Sequence, residues 1–73
     1  MRNTRQKKLI YDIIVNSYTH PTALQIYKEA INVIPDISLG TVYRNLNMLV
    51  DNDSIVRIKM PDGIDRYDKG VEH

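Results

Sequence analysis

The sequence predicts a small, mainly helical domain closed by a two-stranded β-hairpin. Three observations carry this expectation. Apolar residues recur at helical spacing in three successive segments, the period then drops to two, and a Pro-Asp-Gly turn separates the last two segments. A chain of 73 residues makes one domain, spanning 1–73. At that size it buries a modest share of its surface, so each apolar stripe has to be used.

The first helix is expected from about residue 4 to residue 17. Leu9, Ile10, Ile13 and Ile14 share one face, and Thr4 is placed to cap the start. Tyr18-Thr19-His20-Pro21 interrupts it, because the residue before proline is pushed out of helical geometry. The second helix opens on a capping box, Thr22 with Gln25 three residues on. Its stripe is Ala23, Ile26, Tyr27, Ala30, Ile31 and Ile34, and Pro35 ends it. Ser38 caps a third helix that runs to about residue 52, with Leu39, Val42, Leu46, Leu49 and Val50 inward. At roughly 100° per residue, Gly40, Thr41, Arg44 and Met48 point the other way, and Tyr43 and Asn47 lie on the border. Val56, Ile58 and Met60 then alternate with Arg57 and Lys59, a half-buried strand that turns its two cations outward. Pro61-Asp62-Gly63 makes the turn, and residues 64–68 return as the second strand.

Helix, helix, helix and hairpin is the order of a winged helix-turn-helix, mainly α with a two-stranded antiparallel wing. Helices this short do not stand alone in water, so the stripes must pack on one another. A three-helix bundle with an ornamental hairpin, and a fragment of a larger domain, also fit the pattern.

Composition narrows the function. There is no cysteine, which removes disulfides and thiolate metal sites, and only two histidines are present. With no glycine-rich loop and no nucleophile paired to a base, catalysis has little to work with, and the expectation is that the chain is not an enzyme. No apolar run approaches the ~20 residues of a membrane span, and the start lacks a signal-peptide stretch. The expected setting is cytoplasmic, without a membrane partner. Net charge is only +1, yet residues 1–8 hold Arg2, Arg5, Lys7 and Lys8 with no acid. A basic arm of this kind is the footprint of nucleic-acid contact, or equally a solvated terminus.

A winged helix offers the start of its third helix to the major groove. Here that brings Ser38, Gly40, Thr41, Tyr43 and Arg44, small residues beside an arginine suited to guanine or phosphate. Arg57, Lys59 and Arg66 would meet phosphates from the hairpin, and Arg2 is placed to enter an adjacent minor groove. Each residue also has an ordinary reading. Tyr43 is equally well a half-buried core aromatic, Arg44 a solvated helix position, and the hairpin cations protection for a strand edge. His20 before proline reads most simply as a turn residue. The functional alternative is a winged helix that binds protein instead of DNA.

Four motifs, in order along nearly the whole chain, resemble the ferric uptake regulator (Fur) family. Thr4-Arg5-Gln6-Lys7 resembles its T-x-Q-R opening, and His20-Pro21-Thr22-Ala23 with Ile26-Tyr27 its H-P-T-A-x-x-I-Y. Residues 38–46, with Ser38, Thr41-Val42-Tyr43-Arg44 and Leu46, are similar to S-x-x-T-V-Y-R-x-L in the recognition helix. Asp62-Gly63 and Arg66-Tyr67-Asp68 resemble the wing. The resemblance implies a dimeric, metal-dependent transcriptional repressor that binds A/T-rich palindromic duplex DNA. It implies base contact by Tyr43, operator contact by Ser38, Thr41 and Arg44, and Arg2 in the minor groove. It also implies that His20 and Asp68 are two ligands of a regulatory metal site, as in the peroxide-sensing, PerR-like branch. His73 stands near where further ligands of the family begin. The metal would be iron, manganese or zinc in a full-length parent, with tight binding not expected from this chain alone.

The chain departs from the family pattern in three ways. Members run to about twice this length, with dimerisation and often a four-cysteine zinc site in the second half, and neither is present here. Asp53 replaces a common glycine after the recognition helix, a change that aspartate tolerates in left-handed geometry. Lys7 replaces the usual arginine, which keeps a phosphate contact and loses its bidentate form.

Overall fold

The computed structural model describes residues 4–70, so Arg2 and residues 71–73, His73 among them, lie outside it. The described elements are α1 (Thr4–Val15), α2 (Ala23–Ala30), α3 (Leu39–Asp51), β1 (Ile55–Ile58) and β2 (Arg66–Lys69). Three helices and an antiparallel β1–β2 pair, with Arg57 opposite Tyr67, form a winged helix-turn-helix.

Local chemistry sets the helix limits. Thr4, expected to cap α1, is the first described residue of that helix. At the other end Ser17 stops the helix early, donating from Oγ to the Ile13 carbonyl at 2.8 Å. The capping box of α2 is formed on both sides: Gln25 N–H donates to Thr22 Oγ1 at 3.2 Å and Thr22 N–H to Gln25 Oε1 at 2.9 Å. This helix ends at Ala30, sooner than its stripe implies. Bonds from Asn32 N–H to Glu29 and from Val33 N–H to Ala30 tighten the chain before Pro35, whose ring disfavours helical geometry at Ile34. Ser38 caps α3, its Oγ accepting from Thr41 N–H at 3.0 Å. At the far end Asp53 takes φ +65°. Its N–H donates to Val50 O and that of Ser54 to Leu49 O, the two bonds of a Schellman motif.

One core joins all the elements. Ile10 and Ile14 come from α1, Ala23, Ile26 and Ala30 from α2, and Val42, Leu46 and Leu49 from α3, while Ile55 and Tyr67 close it from the hairpin. One expectation about α3 needs correction. Leu39 is 36% exposed, because the first residue of the helix projects past the layer its face packs on. Ile37, ahead of the cap, is buried instead, and so is Asn45, whose Nδ2 donates to the Thr41 carbonyl at 2.9 Å.

The strand phase also differs from expectation. Ile55 is 1% exposed and Val56 38%, so the face carrying Ile55 and Arg57 turns toward the body and that of Val56 and Ile58 away. Arg57 therefore does not point freely outward with Lys59. The hairpin gains a third edge as well: Thr22 bridges to Arg66, and Tyr67 N–H donates to the Pro21 carbonyl at 2.9 Å. Gly70 seals the base of the hairpin. Its N–H donates to Ser54 O at 3.0 Å, and a Cβ there would lie 2.9 Å from Asp53 O.

Candidate nucleic-acid interface

The start of α3 presents the residues expected to read a groove. Ser38, Gly40, Tyr43 and Arg44 are exposed and Thr41 is partly so. Tyr43 has 47% of its surface open, which removes the core reading of that ring. Ser38 Oγ–H donates to Thr41 Oγ1 at 2.9 Å while accepting from Thr41 N–H, so the two side chains form a closed pair. The Thr41 hydroxyl proton remains available to an acceptor such as a phosphate oxygen.

Beside them lies a groove of about 360 Å³ lined by Thr22, Ala23, Leu24, Tyr43, Gly63, Ile64, Asp65 and Tyr67. It separates the start of α2 and the face of α3 from the hairpin tip. The turn at that tip is held by Gly63 N–H on the Met60 carbonyl at 3.0 Å, with Gly63 at φ +83°. Asp62 Oδ1 accepts from Ile64 N–H at 2.9 Å.

The hairpin cations are arranged unequally. Arg57 reaches across to α3, where its guanidinium donates to Asn47 Oδ1. Its Nε lies 3.8 Å from Asp65 Oδ2, and its Cζ stands 5.9 Å over the Tyr67 ring. Lys59 Nζ is also 3.8 Å from Asp65 Oδ2, although the side chain is 79% exposed. Arg66 donates from its guanidinium to the His20 carbonyl at 2.7 Å, which fixes it against the edge segment. Lys7 stands apart, in a cavity of about 240 Å³ with Leu49, Asn52 and Ser54 at the opposite end of α3 from Ser38. Tyr43 and Asp65 thus line one groove, Asp65 with Arg57 and Lys59 beside it, and Lys7 does not join them.

His20 and Asp68 do meet, with Nδ1 to Oδ2 at 3.4 Å. Pairing of the 20–22 segment with β2 brings them together. An imidazole and a carboxylate suit a divalent transition metal. No group of three or more such donors occurs among the described residues, so these two make part of a donor set. Sequence reasoning missed Asn47 and Asp65 as anchors of the hairpin. Asp65 was legible only as one acid in a loop, since its partners depend on how the hairpin folds over α3.

Fold and exposed third helix together define a winged helix-turn-helix domain. The sequence profile of the ferric uptake regulator family matches residues 1–73, and the chain belongs to that family. It is 35% identical over 68 residues to a ferric uptake regulation protein of Rhizobium leguminosarum bv. viciae, covering 93% of this chain and 48% of that one. A peroxide operon regulator of Bacillus subtilis is also 35% identical over 68 residues, with 93% and 47% covered. Among solved structures, a manganese uptake regulator superimposes with a TM-score of 0.87 at 34% identity, covering 100% of this chain and 54% of that chain. The chain spans about half the length of the relatives it matches.

Proposed function

We propose that this chain binds duplex DNA sequence-specifically, as the reading head of a metal-dependent cytoplasmic repressor of the iron or peroxide type. One observation supports this most: in a member of this family, Tyr43 and Arg44 stand exposed on the capped start of the third helix. In the major groove, Tyr43 would place its ring against a thymine methyl. Arg44 would bond guanine O6 and N7 or a phosphate, and Thr41, held by Ser38, would donate to a phosphate oxygen. Lys59, Arg57 and Arg66 would add contacts from the wing, Arg2 from the minor groove, and Lys7 a backbone contact at the far end of α3. The target is an A/T-rich palindrome bound by a dimer of the full-length parent.

His20 and Asp68 would supply two ligands to a regulatory iron, manganese or zinc ion, completed by residues of the parent beyond this chain. Such a metal would supply charge and geometric constraint. This chain's own part is to hold an imidazole and a carboxylate side by side by pairing the 20–22 segment with β2.

Fluorescence anisotropy of a labelled A/T-rich palindrome against a scrambled duplex, across a salt series, tests the DNA reading. The expected result is preference for the palindrome that is lost in Tyr43→Ala, with specific affinity falling about 10- to 100-fold. A second reading, a protein-binding module, draws on the exposed apolar side chains of Leu24, Tyr43 and Ile64 around one groove. No binding of either duplex at low salt decides for it.

A further inference from the structure

The wing carries its own counter-charge. Arg57 and Lys59 both approach one carboxylate oxygen of Asp65, each at 3.8 Å, and Asp65 is only partly exposed. Arg57 is held from two further sides, by Asn47 of α3 and by the Tyr67 ring. Asn47 follows Tyr43 by four residues, so the same helix face that would read bases also anchors this cation. A carboxylate bridging two cations occupies them as a phosphate would.

Building on the DNA-binding reading above, we infer that Asp65 is a built-in competitor for the DNA backbone that limits the wing's sequence-independent grip. On the duplex, a phosphate takes Lys59, and in part Arg57, from Asp65. Binding therefore gains less from these cations than their charge alone would give. Breaking the same pairing burdens every duplex equally, so Asp65 sets absolute affinity while α3 sets preference. Residence on non-target DNA is shortened without altering the bases that are read.

The test is Asp65→Asn in the 73-residue chain, titrated with the A/T-rich palindrome and the scrambled duplex over a salt series. Affinity for both should rise roughly three- to tenfold at low salt, with the slope of log K against log salt steeper by about 0.9 per phosphate gained. The ratio between the two duplexes should stay constant, and Asp65→Glu should behave like the wild type. Asp62→Asn removes the same charge from the same turn, and its amide oxygen can still accept from Ile64 N–H. It should raise affinity less, because Asp62 pairs with neither cation among the described residues.

An unchanged or weakened Asp65→Asn, or equal gains from the Asp62 variant, overturns the competitor role while leaving the DNA reading intact. The same holds for a gain confined to one duplex. A wild type that binds neither duplex overturns the DNA reading, and the inference with it. Circular dichroism melts of each variant separate loss of the turn from loss of the charge, and Asp65→Ser repeats the measurement if the amide disturbs the fold.

Discussion

Asp53 shows how one backbone position is tuned by chemistry and not by contacts. It is exposed, yet it occupies φ +65° because the Schellman turn after α3 needs a left-handed residue there. Aspartate visits this region at a cost that glycine does not bear. Asp53→Gly should therefore stabilise the domain by about 0.5–1 kcal/mol, less whatever the freer unfolded chain takes back. Urea denaturation with an unchanged m-value would show it, and a fall in stability would mean that the side chain does something the turn geometry does not explain.

At the scale of elements, the hairpin is where packing outweighs pattern. Both Ile55 and Val56 are β-branched and apolar, and only their faces distinguish them. Ile55 fills the core beneath the helices while Val56 lies 38% open. Ile55→Ala is expected to cost about 2–4 kcal/mol and Val56→Ala about 0.5 kcal/mol or less in thermal melts. Equal losses would reverse the assigned phase of β1. The same phase turns Arg57 toward Asn47, so the hairpin's orientation on α3 depends on it. The edge formed by residues 20–22 adds a second constraint, since the bonds from Tyr67 N–H to Pro21 O and from Arg66 to His20 O tie the start of α2 to β2.

As a whole molecule, the domain presents one exposed third helix and one wing, so the DNA-binding proposal gives each copy a single reading surface. A palindrome offers two half-sites, and a single copy can engage only one of them. Fusing the chain to a short parallel coiled coil through a flexible linker should raise affinity for a palindrome by about 100-fold or more over the unfused chain. Affinity for a lone half-site should scarcely change. Anisotropy with both duplexes measures the difference, and equal gains on the two would point to binding that ignores the symmetry of the site.

What the sequence determined by itself was local. Caps at Thr22 and Ser38, breaks at Pro21 and Pro35, and the turn at Gly63 depend on residues within a few positions of one another. All are visible in order along the chain. The exposure of Gly40 and Arg44 was legible for the same reason, because a helical period assigns its own faces, whereas Tyr43 stood on the border of the stripe. Tertiary structure decided the rest. Alternation along β1 fixes that neighbouring residues oppose each other, but only the helices it packs on determine which set is buried. Leu39 lost its place in the core because a stripe records direction and not where the facing layer ends. The pairing of His20 with Asp68, and of Arg57 with Asn47 and Asp65, joins segments far apart in sequence. Family motifs pointed to the first of these. The second had no signal in the sequence, because charges on a loop acquire partners only when the chain has folded around them.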